Sequence, residues 1–247
     1  MQRFFVTSEQ IAQGRVAFSA DQSRQVSQVL RMQPGDEVCV LDNAGWLYTV
    51  RLDEVSSHEA MGSVRSRRLA PGEPRTKVTL YPALLKSDKL EFVFQKCTEL
   101  GVSAFEPMLT DHVAVGSTVS ENKQTRWERI IAEAAEQSER GRLPQLHPVT
   151  LFPQACEQAR GLSFIAAERG NRKSLRAELS ARLTAGSQRP FAMNLLIGPE
   201  GGFAPEEVAL AARYGIIPVG LGPRILRAET ASIVGTTLLL AYAGDLE

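Results

Sequence analysis

Cysteine and histidine are scarce in this chain of 247 residues, which contains three of each. Cys39, Cys97 and Cys156 are an odd number, form no CxxC pair and have no histidine nearby at metal-ligand spacing. The chain is also far too long for a small fold that depends on disulfides. We therefore expect reduced thiols and no bound metal.

Long hydrophobic runs are absent as well. The most apolar stretch, residues 231–243, has only thirteen residues and includes polar side chains, whereas a membrane-spanning helix needs about 20 apolar residues. Residues 1–10 have neither the basic nor the apolar region of a signal peptide. These features predict a cytoplasmic protein with no membrane partner, in which residues 231–243 form a buried helix.

The chain has no net charge, since 28 basic residues balance 28 acidic ones. An apolar content of 43% and a charged content of 23% are typical of a globular protein and exclude disorder. The balanced total gives no indication of nucleic-acid binding, but residues 60–96 hold eight basic and three acidic side chains. Such a local surplus could neutralise phosphates, and a solvated hinge with scattered charges is the alternative.

The first part of the chain has short β-like runs. Residues 42–45 separate two of these runs and predict a hairpin turn. Residues 21–32 have helical spacing that ends before Pro34 and Gly35. Residues 70–74, with two prolines and a glycine, read as a linker, so we predict a small β-barrel with one helix over residues 1–72. The predicted strands are residues 3–6, 37–41 and 46–52.

Residues 73–247 alternate between apolar strands and amphipathic helices, which predicts an α/β domain with a parallel sheet covered on both faces. Asp88 and Glu91 have the spacing of a capping box, and Gly101 follows the same helix. The predicted strands are residues 78–84, 104–109, 163–167, 194–198 and 216–221. The predicted helices are residues 88–100, 122–140, 174–183, 205–214 and 229–243.

Two glycine-rich segments follow predicted strands. Residues 198–203 read Gly-Pro-Glu-Gly-Gly-Phe and lead into a helix begun by Pro205, at the strand end where open α/β sheets bind ligands. The segment is neither GxGxxG nor a P-loop, and Glu200, Glu206 and Glu207 would repel a phosphate. We therefore expect neither a nucleoside triphosphate nor a dinucleotide pyrophosphate here, and a tight turn without a ligand is the alternative.

The second segment, residues 219–223, leads directly into Arg224 and Arg227. Arginine is favoured where a planar, permanently charged donor must bind an oxyanion. The alternative is that Glu229 pairs with Arg227 and fixes the start of the last helix. Arg140 and Arg142 have a structural explanation as well, because they lie at the C-terminus of a predicted helix, which attracts cations. His58, His112 and His147 have no carboxylate beside them in sequence, and no common hydrolase motif is present.

Four motifs occur along the chain: Lys96-x-x-Glu99-Leu100-Gly101-Val102, Glu136-Gln137-Ser138-x-Arg140, Ile197-Gly198-Pro199-Glu200-Gly201-Gly202 and Leu221-Gly222-x-Arg224-Ile225-Leu226-Arg227-x-Glu229-Thr230-Ala231. Together, and in this order, they closely resemble the RsmE family of ribosomal RNA small-subunit uracil N3 methyltransferases, which belongs to the SPOUT (trefoil-knot) superfamily. The resemblance covers the whole chain with one departure: residues 25–28 read Gln-Val-Ser-Gln ahead of Val29-Leu30-Arg31, where the family often has a histidine.

The resemblance implies an S-adenosylmethionine (SAM)-dependent enzyme that methylates 16S ribosomal RNA within the small subunit. It implies a PUA-like barrel that binds RNA over residues 1–72, and a knotted methyltransferase domain over residues 73–247 through which two chains form a homodimer. Three loops, residues 167–170, 197–202 and 221–226, would hold the cofactor. The cofactor-binding candidates are Ala167, Ile197, Gly198, Pro199, Glu200, Gly201, Gly202, Leu221, Gly222, Ile225 and Leu226.

Uracil N3 must lose its proton before or during methylation, and negative charge then spreads to the ring carbonyl oxygens. Arg227 or Arg140 would stabilise that charge, while Glu229, another carboxylate or water would take the proton. Two alternatives remain open: a non-catalytic RNA-binding protein, and an enzyme that acts on transfer RNA or another base position. The candidates for RNA contact are Arg3, Arg31, Arg65, Arg67, Arg68 and Lys86.

Overall fold

The computed structural model describes residues 1–113, 119–168, 172–183 and 191–246. The chain divides into two compact units, the first of Met1–Glu73 with Ala135–Leu143 and the second of Pro74–Ala134 with Pro144–Glu247. Residues 135–143, which the sequence predicts as part of the second domain, belong to the first unit. Among the described residues, no helix is both long enough and apolar enough to cross a membrane.

A six-stranded sheet forms the first unit, with the spatial order β1-β4-β5-β6-β3-β2. β1 pairs with β4 in parallel, and the other neighbours are antiparallel. The predicted hairpin turn is confirmed, because Asp42 Oδ1 accepts hydrogen bonds from the backbone N–H groups of Ala44 and Trp46 at 2.8 and 3.1 Å. The strands are β1 (Arg3–Phe5), β2 (Ile11–Ala12), β3 (Arg15–Ala17), β4 (Glu37–Leu41), β5 (Trp46–Val55) and β6 (Ala60–Leu69).

The helical segment of the first unit differs from the continuous helix expected over residues 21–32. It consists of α1 (Ala20–Arg24), with Ser19 as its N-cap, and a π-helical turn over Gln25–Val29. Arg31 then adopts a left-handed backbone with φ of 54°, which ends the segment before Pro34. Val26 faces the apolar core of this unit, where it packs with Phe4, Val38 and other buried residues.

The first part of the basic stretch at residues 60–96 is a strand. Its first ten residues form β6, which pairs with β5 over almost its whole length, so the solvated-hinge alternative is wrong for Ala60–Leu69. The pairing is irregular between Val64 and Ser66, where Arg65 is an extra residue opposite Thr49 and Val50. Because side chains alternate along a strand, Arg67 and Arg68 point to opposite faces of the sheet.

The second unit is built on a seven-stranded sheet in which every described pair of neighbours is parallel, which confirms the predicted α/β class. Its order is β10-β8-β7-β14-β12-β15-β13, and β9 and β11 form a separate parallel pair. These strands are β7 (Lys77–Pro82), β8 (Ala104–Phe105), β9 (Met108–Leu109), β10 (Gln145–Leu146), β11 (Thr150–Leu151), β12 (Leu162–Ala166), β13 (Lys173–Ser174), β14 (Ala192–Ile197) and β15 (Ile217–Gly220).

All five predicted helices of this part are present, and one short helix was not predicted. The capping box expected at Asp88 and Glu91 is wrong: the helix begins at Ser87, and Lys86 is its N-cap residue without a side-chain cap. Gly101 ends this helix as expected, with φ of 117° and its N–H bonded to the carbonyls of Cys97 and Thr98. The helices are α2 (Ser87–Leu100), α3 (Glu121–Gln137), α4 (Phe152–Gln158), α5 (Leu175–Arg182), α6 (Pro205–Arg213) and α7 (Ala228–Ala243).

Successive residues of the central strand β14 enter two different apolar cores. Leu195 packs in the core that includes residues of α2 and α7, while Leu196 packs with residues of α4 and α6 on the opposite face. A continuous apolar strand therefore fits a sheet that is covered on both sides. α7 lies so close to this sheet that a Cβ at Gly235 would come within 2.5 Å of Leu195 Cδ2.

Candidate functional site

The carboxyl ends of β14, β12 and β15, which are neighbours in the parallel sheet, bring three chain segments together. These segments together line one pocket at this edge of the sheet. The pocket is lined by Ala166, Ala167, Glu168, Arg172, Ile197, Gly198, Pro199, Gly202, Leu221, Gly222, Arg224, Ile225, Leu226, Ala228 and Ala231.

The structure brings the predicted cofactor residues to this one edge of the sheet. Nine of the eleven candidates line the pocket, and the remaining two, Glu200 and Gly201, line an adjoining pocket with Gly202. Ile225 and Leu226, which are adjacent in sequence, both line the pocket. Arg169 and Gly170, within the expected loop at residues 167–170, lie outside the described residues.

The glycines after β14 allow a tight loop whose backbone lies against its neighbours. The N–H of Gly202, which has a φ of 70°, donates to the carbonyl of Pro199 at 2.9 Å. A Cβ at Gly198 would lie 3.2 Å from the backbone of Gly202 and from the Phe203 ring. Glu207, which was expected to repel phosphate, is 5% exposed and accepts the N–H groups of Ala204 and Asp111 at 2.9 and 3.0 Å. This carboxylate therefore stabilises the start of α6.

Three charged side chains that are not among the eleven cofactor-binding candidates also line the pocket. Glu168 contributes a carboxylate, and Arg172 and Arg224 contribute guanidinium groups. Arg172 donates a hydrogen bond to the carbonyl of Ala167 and lies against Gly220, where a Cβ would come within 3.0 Å of its Nε. Together with the apolar walls, these groups suit a ligand that combines a flat apolar part with a cationic and an anionic group.

His112 also lies at this edge of the sheet, although nothing in the sequence indicated that it belongs to the site. Its Nδ1 lies 3.0 Å from the carbonyl oxygen of Gly202, and its side chain leaves only 3.1 Å for a Cβ at Gly201. The contact joins residues 90 positions apart, so no local pattern could have indicated it. His112 therefore packs against the loop of residues 198–203, which is called the glycine loop below.

A group of charges lies beside the same loop. Lys89 forms an ion pair with Glu200 at 2.7 Å, which raises the pKa of Lys89 and lowers that of Glu200. The charges of Glu229 and Arg227 also act on Lys89. The alternative pair between Arg227 and Glu229 is not found among the ion pairs of the described residues, and the buried Oε2 of Glu229 has no hydrogen-bond partner among them.

Arg140 belongs to the first unit, and its contacts explain it without a role in catalysis. Its side chain is 4% exposed and donates two hydrogen bonds to Glu73, at 2.9 and 3.0 Å. Glu73 also accepts the N–H groups of Gly141 and Arg142. Burial by itself raises the pKa of Glu73, but the bonds and charge of Arg140 and these two N–H groups outweigh it, so the pKa is lowered.

The predicted RNA contacts are divided between the two units. In the first unit Arg31, Arg65 and Arg68 are exposed, and the exposed Arg67 lies over the ring of Trp46 at 4.9 Å. The side chain of Arg3 is only 9% exposed and is paired with Glu139, which leaves little of its surface for a phosphate. Lys86 is exposed in the second unit, at the start of α2.

Comparison with known proteins agrees with the resemblance. The family model for the RNA methyltransferase domain matches residues 72–240. Ribosomal RNA small subunit methyltransferase E of Synechocystis sp. is 38% identical over 94% of this chain and 75% of its own length. The protein of the same name from Bacillus subtilis is 33% identical over 100% of this chain and 98% of its own length.

Two solved structures have the same fold. A methyltransferase from Legionella pneumophila, in complex with SAM, has a TM-score of 0.85 at 29% identity and covers 97% of this chain and 96% of its own. Ribosomal RNA small subunit methyltransferase E from Neisseria gonorrhoeae, bound to SAM, has a TM-score of 0.84 at 26% identity and covers 98% of this chain and 97% of its own. By its sequence and its fold, this chain belongs to the ribosomal RNA small subunit methyltransferase E family.

Proposed function

We propose that this protein transfers a methyl group from SAM to N3 of a uracil in 16S ribosomal RNA. One observation carries the proposal: three chain segments that are far apart in sequence form one small-molecule pocket at the carboxyl edge of the sheet. Family membership and the SAM-bound relatives support SAM as its ligand. The uracil N3 position comes from the resemblance of the motifs and is the part of the proposal that most needs an experiment.

The residues of the pocket fit SAM chemically. Ile197 and Leu226 offer apolar surface to an adenine ring, and Glu168 offers a carboxylate to a sulfonium or an amino group. Arg172 offers a guanidinium that could bind the carboxylate of the cofactor. Gly198, Gly202 and Gly222 line the pocket without side chains, so a ligand could approach the backbone closely there.

The chemistry that we propose for the protein's own residues concerns charge and a proton. SAM supplies the methyl group when it is bound. Arg227, exposed at the N-cap of α7, would donate hydrogen bonds to a uracil carbonyl oxygen as negative charge develops there. Glu229 would accept the N3 proton, since its buried Oε2 has no hydrogen-bond partner among the described residues. Arg140 is left out of this proposal because Glu73 already binds its guanidinium.

We further propose that residues 1–72 act as a PUA-like RNA-binding domain and that the second unit is a SPOUT trefoil knot through which two chains form a homodimer. The predominantly antiparallel sheet and the exposed arginines of the first unit support RNA binding. The strand order of the second unit, in which β14 lies between β7 and β12, supports a crossed path of the chain. We propose the assembled small subunit as the substrate.

The experiment uses small subunits from a strain that lacks this protein, incubated with the purified protein and SAM. The 16S RNA is then digested and its nucleosides are identified by mass spectrometry against a 3-methyluridine standard. We expect one new 3-methyluridine. Methylation of transfer RNA or of another base position would overturn the proposed target. RNA binding without any methyl transfer would indicate the non-catalytic alternative.

A further inference from the structure

We propose that a second cleft beside the glycine loop binds a phosphate group of the RNA strand next to the target nucleotide. This cleft, called the lysine cleft below, has a volume of about 580 Å³, and its lining includes Lys86, Lys89, Lys123, His112 and residues 199–201. The inference rests on the proposed function, because it assumes that the ligand brought to the loop is RNA.

The position of the lysine cleft suits a strand that carries the reacting base. It shares Pro199 with the proposed cofactor pocket, and it shares His112, Glu200 and Gly201 with the pocket that adjoins it. The glycine loop is therefore a wall common to all three spaces. A nucleotide whose phosphate lies in the cleft could extend its base along the loop toward the cofactor pocket.

The charge of the lysine cleft favours an anion. Three lysines line it against one carboxylate, Glu200, which leaves a surplus of two positive charges. No carboxylate of the residues that the structure describes lies within ion-pair distance of Lys86 or Lys123. The Lys123 ammonium lies 5.3 Å from the centre of the Trp127 ring, a contact that helps to fix its position.

Glu200 holds the third lysine at the loop. The Lys89 and Glu200 side chains are 29% and 46% exposed, and an ion pair in contact with water contributes little to stability. A phosphate could therefore take over the Lys89 ammonium at small cost. Until then, Glu200 both orients Lys89 and reduces the positive potential of the cleft.

The cofactor does not explain these lysines. Arg172, which we assign to the carboxylate of SAM, lines the first pocket, whereas the three lysines line the lysine cleft and are not among the lining residues of the first pocket or of the one that adjoins it. Lysine carries a compact point charge on a flexible stem and binds phosphate without a fixed bidentate geometry. The surplus of lysines therefore favours an RNA backbone as the occupant.

The test is a double variant, Lys86→Gln with Lys123→Gln, whose binding to unmethylated small subunits is measured at several salt concentrations. Each phosphate contact on a single strand contributes about 0.7 to the slope of log K against log salt, so the slope should become shallower by about 1.4. Affinity at low salt should fall roughly tenfold or more. SAM binding by calorimetry should stay at the wild-type value.

Lys96→Gln is the matched control. Lys96 lies in α2, the helix that Lys86 precedes as N-cap, has a 36% exposed side chain and is paired with Glu99 outside the cleft. We expect its slope and affinity to equal those of the wild type. Glu200→Gln provides a test that misfolding cannot imitate. Glu200 is the one carboxylate among the described residues that line the cleft, so its removal should strengthen RNA binding about threefold at low salt.

The outcomes separate the two proposals. If the wild type methylates 16S RNA but the double variant keeps the wild-type salt slope, the lysine cleft is overturned and the proposed function stands. If the wild type binds subunits but transfers no methyl group to 16S RNA, the proposed function fails, and the slope of the double variant still decides whether the cleft binds phosphate. Weaker RNA binding by Glu200→Gln would also overturn the cleft.

Discussion

Replacement of Arg140 by alanine tests whether this arginine stabilises the first unit or takes part in catalysis. The variant would leave the Glu73 carboxylate, whose side chain is 16% exposed, with only the N–H groups of Gly141 and Arg142. Removal of one partner of a buried ion pair costs about 3–5 kcal/mol. Because two backbone donors remain, we expect the lower end, about 3 kcal/mol.

Hydrogen exchange measured by mass spectrometry can locate this loss. A decrease of about 3 kcal/mol corresponds to exchange roughly 100-fold faster for amides that open with the first unit, and peptides from β4 to β6 report on that unit. Peptides from β14 and β12 serve as an internal reference. Arg24→Ala is the matched control, since Arg24 forms an exposed pair with Asp21 at 3.4 Å that should contribute less than about 1 kcal/mol.

The pH dependence of the stability of the first unit tests the same interpretation independently. The folded state lowers the pKa of Glu73 below its ordinary value of 4.5. A carboxyl of this kind contributes stability that is fully present above the unfolded pKa and is lost as the pH falls through the folded pKa. Protection of the first unit in the wild type should therefore decrease below about pH 4.5, and this decrease should be smaller in Arg140→Ala.

A catalytic Arg140 would behave differently. Single-turnover methyl transfer per folded molecule would fall by about 100-fold or more, while hydrogen exchange in β4 to β6 would stay close to that of the wild type. That combination would refute the structural interpretation. Arg140→Lys should give an intermediate loss of protection, because lysine keeps the charge but not the two-donor geometry.

Three further predictions concern the site and the RNA surface. Arg227→Ala should lower single-turnover methylation by about 100-fold with little change in SAM affinity, whereas near-normal turnover would remove Arg227 from the mechanism. Gly201→Val should weaken SAM binding at least about tenfold by calorimetry while peptides of the first unit keep their exchange protection, because a branched side chain does not fit beside this loop. Joint neutralisation of Arg65, Arg67 and Arg68 should make the salt slope of subunit binding shallower, and an unchanged slope would exclude them as phosphate contacts.

The sequence by itself determined the class of the fold and the approximate limits of most elements. Apolar strands in alternation with amphipathic helices indicate a parallel sheet covered on both faces, and Leu195 and Leu196 do enter cores on opposite faces. Glycine after a strand marks a loop that requires close backbone approach, as at Gly198 and Gly202. These signals are local, since they depend on side-chain period and backbone freedom within a few residues.

Some predictions from local sequence patterns were wrong, because other parts of the chain determined the structure at those positions. The Asp88 and Glu91 spacing suited a capping box, yet the helix begins one residue earlier, at Ser87. Glu207 had the charge to repel a phosphate, but burial and two backbone donors give it a structural function. The basic residues after position 60 gave no indication of a strand, because the pairing of β6 with β5 depends on the partner as much as on its own composition.

Only the tertiary structure decided which charges act together. The pair of Arg140 with Glu73 joins residues 67 positions apart, and the pair of Lys89 with Glu200 joins residues 111 positions apart. The path of the chain sets these distances, and no sequence period extends across them. The local pattern could therefore locate the glycine loop, but the choice of Glu200 as the partner of Lys89, and of Glu73 as the partner of Arg140, required the folded chain to bring those groups within hydrogen-bond distance.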